Sequence, residues 1–157
     1  TITAERNESV TFSNPYYSAD QAILVAADDT TIAGPDDLEG LTIAVNTGTT
    51  GDFWVADNLV AEGLVYEADV SKFDFASDAI LALTTGSVDA VIIDDAVARN
   101  YVELNPDDIK VADVIVTNEF YGIAMNKGDT DLIQHVNELL AEMEASGELE
   151  EIIEKWS

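Results

Sequence analysis

The apolar positions of this chain switch period repeatedly. Strand-length runs alternate with stretches whose apolar residues fall at helical spacing. Residues 10–14 and QAILVAA (21–27) read as strands, separated by the turn-like NPYYSAD. The polar DDTTIAGPDDLEG follows, a connection with a short helical turn at 35–39.

A regular alternation then begins. LTIAVN (41–46) reads as a buried strand and TGTTG (47–51) as a tight loop. In DFWVADNLVAEG (52–63), Phe53, Ala56, Leu59 and Val60 are spaced for one helix face, and Gly63 stops the helix. LVYEADV (64–70) reads as a strand. SDAILALTTG (77–86) reads as a helix with Ser77 as N-cap and Gly86 at its end. VDAVIID (88–94) is a strand, DAVARNYVEL (95–104) a helix and KVADVIV (110–116) another strand. Strands joined through helices by short loops predict a mostly parallel α/β sheet with right-handed crossovers.

The ends of the chain follow a different pattern. EFYGIAMN (119–126) reads as a strand. After it, Leu132, Ile133, Val136, Leu139, Leu140 and Met143 mark one face of an amphipathic helix that Gly147 breaks. A last short helix turns Leu149, Ile152, Ile153 and Trp156 inward. Residues 28–116 therefore form one α/β unit. Residues 1–27 and 117–157 form parts of a second.

Composition narrows the function classes. The 157 residues suffice for one ordinary domain or two small lobes. No run approaches the roughly 20 apolar residues of a membrane span. With 32 acidic and six basic residues, the net charge is −26, a surface that repels phosphate backbones and argues against nucleic acid. The acidic residues are dispersed, as in a solvated acidic coat. No cysteine is present, which removes disulfides, thiolate metal sites and Cys nucleophiles. His135 is the single histidine, in the last long helix beside its polar face, and it reads as a surface residue. Trp54 and Trp156 read as packing anchors.

Ligands of a parallel sheet gather at the carboxyl ends of its strands. Two segments reach that edge, Asn46 with the TGTTG loop and Asp94. Gly48 and Gly51 allow a tight turn, and the N–H groups of the following helix suit a small anion such as a carboxylate. The loop lacks the length and the Lys of a P-loop. A plain strand–helix turn capped by Thr explains the same residues. Asp94 and Asp95 are adjacent, so their side chains diverge: one ends the strand and the other starts the helix. That disfavours a catalytic carboxylate pair. Asp94 alone suits an ammonium group. Arg6, one of two arginines, is able to grip a carboxylate with two parallel hydrogen bonds or to pair locally with Glu5 or Glu8. Composition is compatible with both.

TITAER6, SVTFSNPYY, LEGLTIAVNTGTTG, GSVDAVIID94, FYGIAMNKG and EIIEKW, in this order, resemble the polar amino-acid-binding proteins of ABC importers. The resemblance covers nearly the whole chain. It implies a periplasmic-binding-protein-like fold, with two lobes joined by hinge strands near Tyr16–Asp20 and Thr117–Tyr121 and closing over an amino acid. By position, Arg6 corresponds to the arginine that clamps the ligand carboxylate, and Thr1 to a small hydroxyl residue beside it. Thr49, Thr50 and Gly51 correspond to the second lobe's carboxylate loop. Asp94 corresponds to the acid that receives the ammonium, and Asn46 to a position touching the ligand side chain. Ile93 stands where some relatives carry a polar side chain, so side-chain preference does not transfer.

The resemblance further implies that the first lobe begins before Thr1. The chain is then expected to be the later part of a longer protein, with a complete second lobe and a partial first lobe. Strands 10–14, 21–27 and 119–126 would then be open to pairing with another copy. The implied protein is a non-enzymatic receptor without cofactor or metal. It works in the periplasm or outside the cell, with a membrane anchor as an option, and delivers an amino acid to a membrane permease. Two alternatives use the same scaffold: a dehydratase of aromatic amino-acid biosynthesis and the sensing module of a receptor.

Overall fold

The computed structural model describes residues 1–156. In chain order it contains α1 (Arg6–Ser9), β1 (Val10–Phe12), β2 (Tyr17–Ala26), a 3-10 turn (Pro35–Leu38), β3 (Ile43–Asn46), α2 (Thr50–Val55) and a π-helical turn (Ala56–Val60). A 3-10 turn (Glu67–Asp69), β4 (Val70–Phe73), α3 (Ala76–Thr84), β5 (Ala90–Asp94) and α4 (Asp95–Leu104) follow. The chain ends with β6 (Ile109–Tyr121), β7 (Ala124–Asn126), α5 (Thr130–Ser146) and α6 (Glu148–Trp156).

These elements form two compact units. One is Asp20–Thr117; the other joins Thr1–Ala19 to the segment from Asn118 onward. The chain passes between them at Ala19–Asp20, within β2, and at Thr117–Asn118, within β6. Both points lie inside the segments expected as hinges. The expected lobe limit at residue 27 is displaced, because residues 20–27 group with the middle unit.

The reason lies in the pattern of β2. Ala22 and Leu24 pack with one cluster, and Ile23 and Val25 with another, all of them fully buried. A strand whose successive side chains point to opposite faces buries both only between two layers. β2 is accordingly an inner strand of a five-stranded sheet ordered β4-β3-β5-β2-β6. It is therefore not an open edge, contrary to expectation.

β3 runs parallel to β4 and to β5, whereas β2 pairs antiparallel with β5 in the register Gln21↔Asp94, Ala22↔Ile93, Ile23↔Ile92. The sheet is mixed rather than mostly parallel. One face packs on α3 and α4 through Ala44, Val91, Ile80, Leu83 and Ala98. The other packs on α2 and its π turn through Val45, Ile92, Val55 and Leu59. Each such large apolar side chain contributes about 1.5–3 kcal/mol by leaving water.

Other expectations shift for local reasons. Residues 64–70 are not a strand: only Val65 is buried, Tyr66 is 76% exposed, and β4 begins at Val70, opposite Ile43. The helix after TGTTG starts at Thr50, and its inward residues are Gly51, Asp52, Val55 and Leu59, while Phe53 is 46% exposed. The π turn widens the coil by one residue and changes its phase. α3 starts two residues early, with Phe75 rather than Ser77 at the cap position and no side-chain cap bond. β6 is one continuous strand through Asn118, whose φ is +55°.

In the other unit, β1 and β7 pair antiparallel, Val10↔Asn126 to Phe12↔Ala124. The Ile2 N–H donates to the Phe120 carbonyl and the Tyr16 N–H to the Tyr121 carbonyl. Tyr17 and Tyr121 stack with ring centroids 5.5 Å apart. Gly147, with φ +82°, ends α5 in the left-handed conformation that glycine adopts without a Cβ penalty. The expected inner face of α5 is only half-buried: Ile133, Val136, Leu140 and Met143 are intermediate, while Leu132 and Leu139 are exposed. In α6, Leu149 and Ile153 are half-buried and Ile152 is exposed, unlike the expected inward set. The Trp156 side chain lies outside the described residues.

Candidate functional site

Parallel pairing of β3 with β5 brings their carboxyl ends together, so Asn46 and Asp94 lie at one edge of the sheet. The antiparallel partner β2 begins there too, with Gln21 opposite Asp94. Five predicted residues, Asn46, Thr49, Thr50, Gly51 and Asp94, are thereby gathered at this edge of the middle unit.

The loop between β3 and α2 is held by its own polar atoms. Thr49 Oγ1 donates to the Asn46 carbonyl at 2.7 Å and accepts the Asp52 N–H at 3.3 Å, capping α2. Gly48, with φ +71°, donates its N–H to Asp52 Oδ2 at 3.0 Å. The N–H groups of Thr50 and Gly51, at the first two helical positions, have no place in the helix's own ladder. Asp52 is a buried carboxylate beside an expected anion loop, and Lys72 Nζ offsets it at 2.8 Å from Oδ1.

Asn46 is half-buried and donates through Nδ2 to the Phe73 carbonyl at 2.9 Å, which turns its side chain toward the end of β4. Asp94 occupies the cap position of α4 without capping it by its side chain. Its Oδ1 accepts from Gln21 Nε2 at 2.8 Å. Asp95 turns elsewhere, accepting the Asp20 N–H and pairing with Arg99. The two carboxylates diverge, as expected, although Asp95 serves the Arg99 pair rather than a cap.

Gln21 is the site residue that periodicity left unremarked. It is fully buried, and its Nε2 also reaches Thr50 Oγ1 at 3.1 Å. Its signal was a polar residue at an inward position, two before Ile23 and four before Val25. Gly51 permits the contact, because a Cβ there would stand 2.7 Å from Gln21 Oε1 and 3.1 Å from the Ile92 carbonyl oxygen.

The remaining predicted residues belong to the other unit. Arg6 opens α1 and is half-buried; its Nη1 donates to the Thr1 carbonyl at 2.9 Å, and its N–H donates to Thr3 Oγ1 at 3.1 Å. Thr1 and Arg6 are thus brought together, with Thr1 orienting the guanidinium through its backbone. His135 is exposed on α5.

Residues 1–157 match the bacterial extracellular solute-binding proteins, family 3. The L-cystine-binding protein TcyJ of Escherichia coli is 32% identical over 157 residues, which cover 99% of this chain and 57% of that protein. A probable histidine-binding protein of Neisseria gonorrhoeae is 35% identical over 161 residues, covering 99% and 58%. Among solved structures, a mutant of ArgBP from T. maritima superposes with a TM-score of 0.86 at 41% identity, covering 99% of this chain and 65% of that one. The chain thus spans less than two thirds of the length of these relatives. With its whole length matched and the fold shared at this level, the chain belongs to family 3 of the bacterial extracellular solute-binding proteins.

Proposed function

We propose that this chain is the ligand-binding portion of a receptor that captures an amino acid outside the cytoplasm and hands it to the permease of an ABC importer. The observation that carries the reading is the polar edge of the middle unit, where a carboxylate, Asp94, stands across Gln21 from a hydroxyl-bearing, N–H-rich turn, Thr49–Gly51. That pairing suits a zwitterion, whose charges both need partners once out of water.

In this reading Asp94 takes the ligand ammonium. Thr49, Thr50 and Gly51 donate to its carboxylate. Arg6, oriented by Thr1, carries a guanidinium suited to gripping a carboxylate, and Asn46 faces the ligand side chain. The names of the relatives, an L-cystine-binding and a probable histidine-binding protein, support an amino acid as the guest. The family description, extracellular, supports a place outside the cytoplasm, in the periplasm or at the surface, with or without a membrane anchor. Self-association would use β1 or β7, each of which, among the described residues, pairs on one side only in its two-stranded sheet.

Native mass spectrometry of the purified chain with L-cystine, L-histidine, L-arginine, L-glutamine and L-glutamate tests the proposal. One-to-one binding of at least one of them is expected. Failure of all five, with prephenate or arogenate turned over instead, would favour the enzyme on this scaffold.

A further inference from the structure

A primary carboxamide carries two hydrogens on one nitrogen and an acceptor oxygen on the other side. Gln21 presents that nitrogen to both poles of the candidate site, 2.8 Å from Asp94 Oδ1 and 3.1 Å from Thr50 Oγ1. The orientation is chemically fixed. An ionised carboxylate only accepts, so the nitrogen faces Asp94, and its second hydrogen goes to Thr50. The Thr50 oxygen is then an acceptor from Gln21, which leaves the hydroxyl's own hydrogen to donate elsewhere. Asp94 is held as an acceptor.

We propose that Gln21 is a positioning residue that sets opposite hydrogen-bond polarity at the two ends of the site, making Thr50 a donor toward a carboxylate and Asp94 an acceptor toward an ammonium. The inference rests on the amino-acid reading given above. Three features support it. Gln21 is fully buried, so solvent does not compete for its hydrogens. Its register partner across the sheet is Asp94 itself, which puts both side chains on one face. Gly51 lets the helix backbone close on the carboxamide where any Cβ would collide. A hydrocarbon side chain would fill the same space without fixing either polarity.

Two measurements on the intact chain test this. In the first, NMR exchange of side-chain amide hydrogens compares Gln21 with Gln134, an exposed glutamine that also donates to a carboxylate, Glu138. At least tenfold slower exchange is expected for Gln21, with faster exchange of one hydrogen in Thr50→Val and in Asp94→Asn. Exchange as fast as that of Gln134, or unchanged by both substitutions, overturns the proposal.

In the second, calorimetry with the tightest-binding amino acid of the five compares wild type, Q21M, D94N and the double variant. The expected result is at least a tenfold loss in Q21M and a clearly smaller effect of D94N in the Q21M background. Independent, multiplying losses would mean that Gln21 does not act through Asp94, and the proposal falls. If none of the five amino acids binds wild type, the amino-acid reading fails, and the exchange measurement still decides the role of Gln21.

Discussion

Asp52 Oδ2 accepts the Gly48 N–H at 3.0 Å, across the turn that leads into α2. Asp52 is 5% exposed, and its other carboxylate oxygen meets Lys72 from β4. One buried side chain thus holds the left-handed glycine, the helix start and the neighbouring strand. Replacing Asp52 by Ala should cost about 1–3 kcal/mol, because it frees the Gly48 N–H and the loop together. K72M should cost about 1–2 kcal/mol: it strands the Asp52 charge, but Lys72 is 45% exposed and solvent screens the pair. Urea denaturation of both variants checks the order.

Gly51 is required for a steric reason. A methyl group there would meet the Ile92 carbonyl oxygen at 3.1 Å, and backbone in the middle of a sheet does not yield. Gly51→Ala should destabilise by about 1–3 kcal/mol. Gly34→Ala, whose nearest neighbour would be 3.4 Å away, should be near neutral. Thermal melts of the two variants side by side make the comparison.

Asp29 accepts the N–H groups of Ile32 and Thr31 and the Thr31 hydroxyl, each within 3.0 Å. The Ile32 N–H contributes most to holding its carboxyl below the ordinary Asp range, followed by the Thr31 N–H; Lys110 adds a smaller pull. A carboxyl with a lower pKa folded than unfolded adds its full stability where the unfolded group is already ionised, above about pH 4. It loses that contribution as pH falls through the folded value. Asp29→Asn should therefore be less stable than wild type by a constant margin from pH 5 to 7. The margin should shrink on acidification below about pH 4, as read from denaturation midpoints at a series of pH values.

Much of this was legible in the order of residues because β2, β3 and β5 are buried on both faces, and continuous apolar runs announce such strands. The candidate edge was legible for a related reason: Asn46 and Asp94 terminate two of those runs. What escaped depends on partners distant in sequence. The antiparallel sense of β2 comes from its pairing with Asp94–Val91, some seventy residues on, which no local period encodes. The phase of α2 was lost to a π turn, and the 64–70 segment to the burial of Val65 alone. Gln21 looked like the edge of a strand, and only the fold shows that its inward position meets Thr50 and Asp94.

The central claim is that Asp94 receives the ammonium of an amino acid. Isothermal titration calorimetry with L-arginine, L-histidine, L-cystine, L-glutamine and L-glutamate, on the wild-type chain and on Asp94→Asn, tests it most directly. Saturable one-to-one binding of at least one of these by wild type is predicted, weakened about tenfold or more in a variant that keeps the shape of the side chain and removes its charge. Equal affinity in the two proteins would contradict the account.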